Sequence, residues 1–188
     1  AAFGGVNLAD KPVFAVIWTT TPWTIPANQA INVHPDYIYS LVETSAGVLL
    51  LAKDLVEACL RRYGLTATTM ATAPGRALDL IRFQHPFYER AAPLYLGEYV
   101  TLEAGTGLVH SSPAYGVDDF VSCKRYGMTN DQILNPVGDD GKFAAALPLF
   151  GGMSIWDANS KIIEVLRERG HLLHSGKLLH SYPTCWRH

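Results

Sequence analysis

Three consecutive threonines, Thr19–Thr21, interrupt the stretch "AVIWTTTPWTIPANQAINVHPD" (Ala15–Asp36), flanked by Trp18 and Trp23 and followed by Pro22, Pro26 and Asn28. Neutral hydroxyls at this density can bind a small polar ligand or hold a water, and Asn28 adds both a donor and an acceptor. Read as the end of a strand, the alternation of Cβ directions puts Thr19 and Thr21 on one face and Thr20 on the other. The prolines then make a rigid exit that cannot continue a ladder. A second polar stretch, "LEAGTGLVHSSPAYGVDDF" (Leu102–Phe120), leads from a Gly-Thr-Gly turn through a short apolar strand to His110, Ser111 and Ser112. Asp118 and Asp119 follow at the start of a helix, where the dipole favours an anion. Threonine's preference for strands and a helix-start aspartate account for single residues here, but not for both aspartates.

Several chemistries fit these residues poorly. A Ser-His-Asp hydrolase built from His110, Ser111, Ser112 and Asp119 is disfavoured, because neighbouring strand residues point to opposite faces and no Gly-x-Ser-x-Gly elbow exists. Gly105 and Gly107 make no dinucleotide fingerprint: the third glycine is missing and a strand follows, not a helix. The three cysteines, Cys59, Cys123 and Cys185, are odd in number and far apart, so no disulfide framework emerges and a reducing compartment is expected. His171-x-x-His174 and Cys185-x-x-His188 have metal-like spacings without a second pair at zinc-finger distance, and no metal is expected.

The elements that must position these residues are mostly strands. "VFAVIW" (Val13–Trp18) is a short apolar run, and "YIYSLVE" and "GVLLLA" around a "TSAG" turn predict a hairpin over Tyr37–Ala52. "LTATTMAT", "ALDLIRF", "APLYLGEYVTL" and "GLVHSS" are further strand candidates, punctuated by proline and glycine. Three amphipathic helices are expected, in "DLVEACLRRYG", "GVDDFVSCKRYG" and "DANSKIIEVLRERG", each ending at a glycine. "NPVGDDGKF" reads as a loop and hairpin turn. Many short strands with helices on the outside predict a mostly β domain, a β-barrel or strongly curved sheet. With 188 residues, 48% of them hydrophobic and 17% charged, the chain can bury a real core as one domain. Its net charge of −2 supplies no global field for nucleic acid. No apolar run is long enough to span a bilayer, and "AAFGGVNLADKP" lacks the features of a signal peptide. Both ends read as cuts in a longer chain.

Taken together, "WTTTPWTIPANQAINVHPDYIY" and "GTGLVHSSPAYGVDDF" closely resemble the editing insertion, connective polypeptide 1, of class I isoleucyl-tRNA synthetases. The likeness extends through "GRALDLIRFQHPF", "NPVGDDGKF" and the closing "HSYPTCWRH" and so covers most of the chain. The valyl and leucyl relatives carry an arginine in the threonine motif, and the valyl one a lysine where this chain has His110. The isoleucyl branch therefore fits best. One departure is Ala114-Tyr115-Gly116, where many members have Gly-His-Gly. Neither a His-x-Gly-His nor a Lys-Met-Ser-Lys-Ser motif is present, so no aminoacyl-adenylate synthesis is expected.

The resemblance implies a β-barrel-like editing domain over residues 1–188 that hydrolyses valine from mischarged tRNA(Ile), and that also takes valyl-adenylate. It implies catalytic roles for Thr21, His110 and Asp119. Asp119 matches the aspartate that pairs with the substrate's α-ammonium. His110 matches the histidine that lines the side-chain pocket and excludes isoleucine. Thr19, Thr20 and Thr21 match the run that contacts the adenosine and positions water, and Asn28 matches an asparagine important for editing. Trp18 and Trp23 are candidate pocket walls. The implied partners are the tRNA 3′ end, valine or its adenylate as small ligands, and the remainder of the synthetase. A monomer in the cytoplasm, with no cofactor and no membrane, is expected. A non-catalytic module that binds the tRNA end or the amino acid fits the same motifs, as does an inert fragment that keeps only ligand affinity.

Overall fold

The computed structural model describes residues 2–8 and 11–176. The closing segment "HSYPTCWRH", with Cys185 and His188, lies outside the described residues. Eight strands form two four-stranded sheets. They are β1 (Val13–Ala15), β2 (Ala30–Val33), β3 (Ile38–Thr44), β4 (Gly47–Ala52), β5 (Thr68–Pro74), β6 (Arg82–Gln84), β7 (Ala91–Leu96) and β8 (Leu108–Ser111). Three helices decorate them: α1 (Val56–Tyr63), α2 (Val117–Arg125) and α3 (Ile155–Glu168). The first sheet runs β1-β4-β3-β5 and the second β6-β7-β2-β8, each mixing parallel with antiparallel neighbours.

The two sheets face each other across one core. Ile31, Val33, Leu94 and Leu108 of the second sheet meet Leu41, Val48 and Leu50 of the first. Along one edge the backbones touch: the Ala52 amide donates to the Thr106 carbonyl at 2.9 Å, and the buried Tyr39 hydroxyl donates to the Gly107 carbonyl at 2.8 Å. The enclosure is thus barrel-like, but its wall consists of two separate sheets rather than one closed ladder. A second core lies behind the threonine segment, where Ile25, Phe87, Phe143 and Phe150 pack on Ala158, Ile162, Val165 and Leu166 of α3.

The expected hairpin is present as β3 and β4, paired from Tyr39 with Ala52 to Thr44 with Gly47. Each predicted helix is present as well. The first strand is shorter than its hydrophobic pattern: β1 stops at Ala15 instead of Trp18. Beyond it the Thr19 hydroxyl captures the Thr21 amide at 3.0 Å, a local bond that competes with ladder pairing. The chain then enters a 3-10 helix, Pro22–Ala27, with proline at its first position. The threonines therefore form a turn, not a strand end. Thr19 and Thr21 still face each other, with hydroxyl oxygens 3.2 Å apart. The strand expected in "ALDLIRF" shrinks to β6, because Gly75–Leu78 form a 3-10 turn whose amides bond back to Tyr37 and Pro35. The pattern in "APLYLGEYVTL" likewise ends at Leu96, since Gly97 and Val100 close a turn.

Gly107 carries the junction between the sheets. Its φ is +77°, and a Cβ there would fall 2.2 Å from the Ala52 Cβ. Gly105, two residues earlier, has φ +82° but nothing nearer than 3.6 Å. Both substitutions to alanine incur the left-handed backbone penalty of about 1–2 kcal/mol, and only Gly107→Ala adds overpacking of about 1–3 kcal/mol. Urea unfolding should therefore rank Gly107→Ala clearly below Gly105→Ala in stability; equal loss would mean the sheet edges can part freely.

Candidate active site

The strand period sorts the polar residues of β8. In register with β2, His110 lies opposite Ile31 and Ser111 opposite Ala30. Leu108 and His110 thus share the face that meets the other sheet, while Ser111 shares the opposite face with Asn32 and Ala30. That second face is covered by α2, where Ala30 and Tyr95 pack on Cys123. His110 and Ser111 diverge, as expected of strand neighbours, and the pairing that a serine hydrolase needs does not form between them.

His110 is held at both nitrogens. The Asn28 amide nitrogen lies 3.1 Å from Nδ1 and also donates to the Ala30 carbonyl at 2.8 Å. With Nδ1 accepting, the ring proton sits on Nε2, which donates to the Thr24 hydroxyl at 2.8 Å. The Thr24 hydroxyl passes its own proton to the Thr21 carbonyl at 2.9 Å. Burial pushes the His110 pKa down to about 4, so the ring is neutral at pH 7. The residue as a whole is half-buried, while both ring nitrogens are engaged by protein groups.

Thr24 also joins the histidine to the aspartate. Its carbonyl accepts from the Ser112 hydroxyl at 2.9 Å, and the Ser112 amide donates to Asp119 Oδ2 at 3.0 Å. The Tyr99 hydroxyl donates to Asp119 Oδ1 at 3.3 Å. Burial pushes the Asp119 carboxyl above the ordinary carboxylate value. The Ser112 amide and the Ser111 and Tyr99 hydroxyls oppose that rise, and the charge of Asp118 adds to it. Three hydrogen-bonded steps therefore link Thr21 to Asp119, through Thr24 and Ser112.

A cavity of about 190 Å³ lies beside this network, lined by Trp18, Tyr99, Thr101 and residues 104–109. None of Thr19, Thr20, Thr21, Asn28, His110 and Asp119 lines it; Trp18 and Val109 are chain neighbours of Thr19 and His110, and Tyr99 donates to Asp119. Trp18 is 47% exposed and forms an open side. Trp23 is not a wall of this cavity. Its ring meets Tyr115 edge-on at 4.9 Å and packs against the α3 core, and its amide donates to Asn159. Asn28 is buried, and its amide nitrogen supports His110. Thr24 and Tyr99 are not candidates from sequence, and Ser112 enters there only as a member of the disfavoured hydrolase set. A buried threonine in a proline-rich turn and a tyrosine in a strand-like run carry no chemical signature of their own.

Nearby backbone is held by two more groups. The neutral His85, its pKa pushed down to about 4 mainly by burial, donates through Nε2 to the Ile25 carbonyl at 2.9 Å. Its Nδ1 accepts from the Phe87 and Tyr88 amides. Arg90 bonds the carbonyls of Asn28 and Pro26. Among the described residues no three His, Cys, Asp or Glu side chains gather so as to hold a metal ion, and no helix is long and apolar enough to cross a membrane.

A family model described as leucyl-tRNA synthetase, editing domain, matches residues 17–169. The chain is 62% identical over 187 residues to the isoleucine–tRNA ligase of Aromatoleum aromaticum, covering 100% of this chain and 20% of that protein. It is 62% identical over 188 residues to the corresponding ligase of Azotobacter vinelandii, with the same coverage. The chain thus spans about a fifth of the length of the curated relatives it matches. Among crystal structures, that of GlLeuRS-CP1 has a similar fold, with a TM-score of 0.68 at 17% identity over 85% of this chain and 78% of that one. The cytosolic leucyl-tRNA synthetase editing domain of P. knowlesi gives 0.66 at 10% identity, over 87% and 84%.

The two depressed histidines make stability depend on acid. In the unfolded chain each titrates near its ordinary value of 6.5, and in the fold near 4. Between those values the unfolded state binds protons that the folded state refuses, so their contribution is complete above pH 6.5 and falls as the pH drops towards 4. The difference in Tm between wild type and His85→Gln should shrink over that window; a pH-independent difference would show that His85 is not folded in its neutral form.

Proposed function

The chain belongs to the leucyl-tRNA synthetase editing-domain family, and on that premise we propose that it hydrolyses the ester of mischarged valyl-tRNA(Ile), with valyl-adenylate as a second substrate. Residues 1–188 act as one editing unit, delivered its substrate by the remainder of an isoleucyl-tRNA synthetase in the cytoplasm. The observation that carries this reading is the linkage of Thr21, His110 and Asp119 through Thr24 and Ser112, beside a cavity below the about 300–1,000 Å³ usual for small-molecule sites. A space that small suits an amino-acid side chain and leaves the adenosine outside, over the threonines.

The need for a second site is physical. Isoleucyl-tRNA synthetase is the standard case in which one methylene is worth only about 1–3 kcal/mol, a general figure rather than one drawn from these residues. A synthetic pocket therefore admits valine, and a smaller second pocket removes it. In the proposed reaction a water adds to the ester carbonyl, the tetrahedral intermediate collapses, and the ribose hydroxyl leaves with the proton. The Asp119 carboxylate pairs with the α-ammonium and fixes the carbonyl's position. His110 acts as a wall and not as a base, because both nitrogens are engaged and burial disfavours the protonated ring. Asn28 acts through His110 by holding its tautomer. The hydroxyls of Thr19, Thr20 and Thr21 contact the adenosine and orient the water, and the ribose hydroxyl assists.

Release of valine from purified valyl-tRNA(Ile) tests this directly. Asp119→Ala should lower kcat/KM at least about 30-fold, the loss expected when one partner of a buried charge pair is truncated, and Thr21→Arg should also lower it strongly. His110→Ala should gain hydrolysis of isoleucyl-tRNA(Ile). Tight binding without valine release would favour a tRNA-end binding module, and full activity in a folded Asp119→Ala protein would remove Asp119 from the mechanism.

A further inference from the structure

Asn32 is the most unexpected residue in the fold. It stands in β2, the strand flanked by β7 and β8, at 0% exposure. A buried amide is costly unless its donors and acceptor are satisfied. Here both ends are satisfied by serines that flank the site. The Asn32 amide nitrogen donates to the Ser111 hydroxyl, and the Ser122 hydroxyl donates to Asn32 Oδ1 at 2.6 Å. Ser111 is 0% exposed and precedes Ser112, whose amide binds Asp119. Ser122 lies on α2 three residues after Asp119, on the same side of the helix.

The Tyr99 arm converges on the same place. Gly97 is what lets both arms approach: a Cβ there would fall 2.8 Å from a Tyr99 ring carbon and 3.1 Å from Asn32 Oδ1. Gly116 leaves a matching space on the other side, since a Cβ at that position would fall 2.7 Å from Asp119 Oδ2. The carboxylate is therefore walled by a hydroxyl, an amide and a glycine gap, and backed by a hydrogen-bonded chain that crosses from sheet to helix. A leucine or valine at position 32 would satisfy the core with less demand on partners, so the network calls for a reason beyond packing.

We propose that Tyr99, Ser111, Asn32 and Ser122 are positioning residues that lock the Asp119 carboxylate in one orientation beside Tyr99, itself a wall of the cavity, so that it receives the substrate's ammonium without rearranging. This rests on the proposed editing function for its substrate, but the cage itself is a property of the free protein. Tyr99 and the Ser112 amide hold the carboxylate directly. Asn32 and Ser122 act through Ser111, which Asn32 grips by its hydroxyl and which leads directly into Ser112. Disorder in any of them lets Asp119 sample other rotamers, and part of the binding energy is then used to recapture it.

Two variants remove one hydroxyl each and keep the surrounding volume: Tyr99→Phe, which breaks a direct contact, and Ser122→Ala, which breaks the far end of the chain. Two readouts are taken on the 188-residue protein. The first is the titration midpoint of the Asp119 carboxyl, followed by carbon-13 NMR. Tyr99, Ser111 and Ser112 face this carboxyl from β8 and the segments on either side of it, while Asp118 and Cys123 face it from α2. Loss of a donor to the ionised form should raise the midpoint in Tyr99→Phe, and to a smaller extent in Ser122→Ala. The second is hydrolysis of valyl-tRNA(Ile). A hydrogen bond to a charged group corresponds to about a tenfold effect or more, so Tyr99→Phe should lose about tenfold in kcat/KM, carried mainly by KM. Ser122→Thr, which keeps the hydroxyl, should restore both readouts. Unchanged titration in both folded variants overturns the cage, whatever the activity. Lower Tm with unchanged titration assigns the network to folding alone and also overturns it. If wild type releases no valine, the proposed function fails while the titrations still decide the cage.

Discussion

One buried threonine holds the site together. The Thr24 hydroxyl accepts a hydrogen bond from His110 and donates one to the Thr21 carbonyl, and the Thr24 carbonyl accepts from Ser112. Through these bonds a 3-10 turn and a strand more than 80 residues later become one unit. Each bond has a single workable direction once the histidine is neutral. Asn28 must donate to Nδ1 because its amide also donates to the Ala30 carbonyl, and that forces the proton to Nε2. A protonated ring would place a second donor against the Asn28 amide, where both groups would compete for no acceptor. Neutrality is thus built into the hydrogen-bond pattern as well as into the burial.

The turn that carries Thr24 cannot support itself. Pro22 and Pro26 lack amide protons, and a 3-10 helix of six residues has weak internal bonds. Its carbonyls are met from outside instead. His85 takes Ile25, Arg90 takes Pro26 and Asn28, and Asn159 of α3 receives the Trp23 amide. Ile25 is anchored in the apolar cluster beneath α3. The third helix and the "NPVGDDGKF" region, which meets that cluster at Phe143, therefore serve the site from a distance. Irregular backbone next to a site is rigid only when its polar groups are satisfied by elements that are themselves packed.

The regular parts of this fold were legible because their signals are local. The β3–β4 hairpin follows from alternation around a turn, and α1–α3 follow from amphipathic spacing and terminal glycines. β2 was not legible: four residues with an asparagine in third place give too short and too polar a pattern. It is nonetheless flanked by β7 and β8 in the second sheet, because β8 and α2 supply that asparagine with partners. The threonines have a strand-like pattern because the type favours strands, and nothing in the string reveals that Thr19 will bond the Thr21 amide. Among the candidate site residues, Thr21, His110 and Asp119 follow from a motif resemblance, whereas the residues that hydrogen-bond to them include ordinary serines, threonines and a tyrosine. Supporting residues are defined by what they touch, and contacts across 80 or more positions leave no trace in spacing.

On the proposed reading, the chemistry fits the absence of a strong nucleophile in this network. An aminoacyl ester is already activated, so orientation of water and carbonyl supplies most of what is required. A charged base or an activated serine would also attack correct product that strayed into the site. The arrangement instead engages every strong polar group with a neighbour: the histidine with Asn28 and Thr24, Ser112 with Thr24, Ser111 with Asn32. What this leaves for a ligand, on that reading, is the charge and remaining lone pairs of the Asp119 carboxylate, whose oxygens each accept one bond from Tyr99 and Ser112, together with weakly acidic hydroxyls and a neutral ring. Such a surface recognises an amine and a shape but forces no reaction on its own. Selectivity then rests on whether a side chain fits beside His110, and rate on whether the ester carbonyl lands within reach of the held water. Both depend on the same rigidity, which is why a buried asparagine and its two serines sit behind the one charge the site presents.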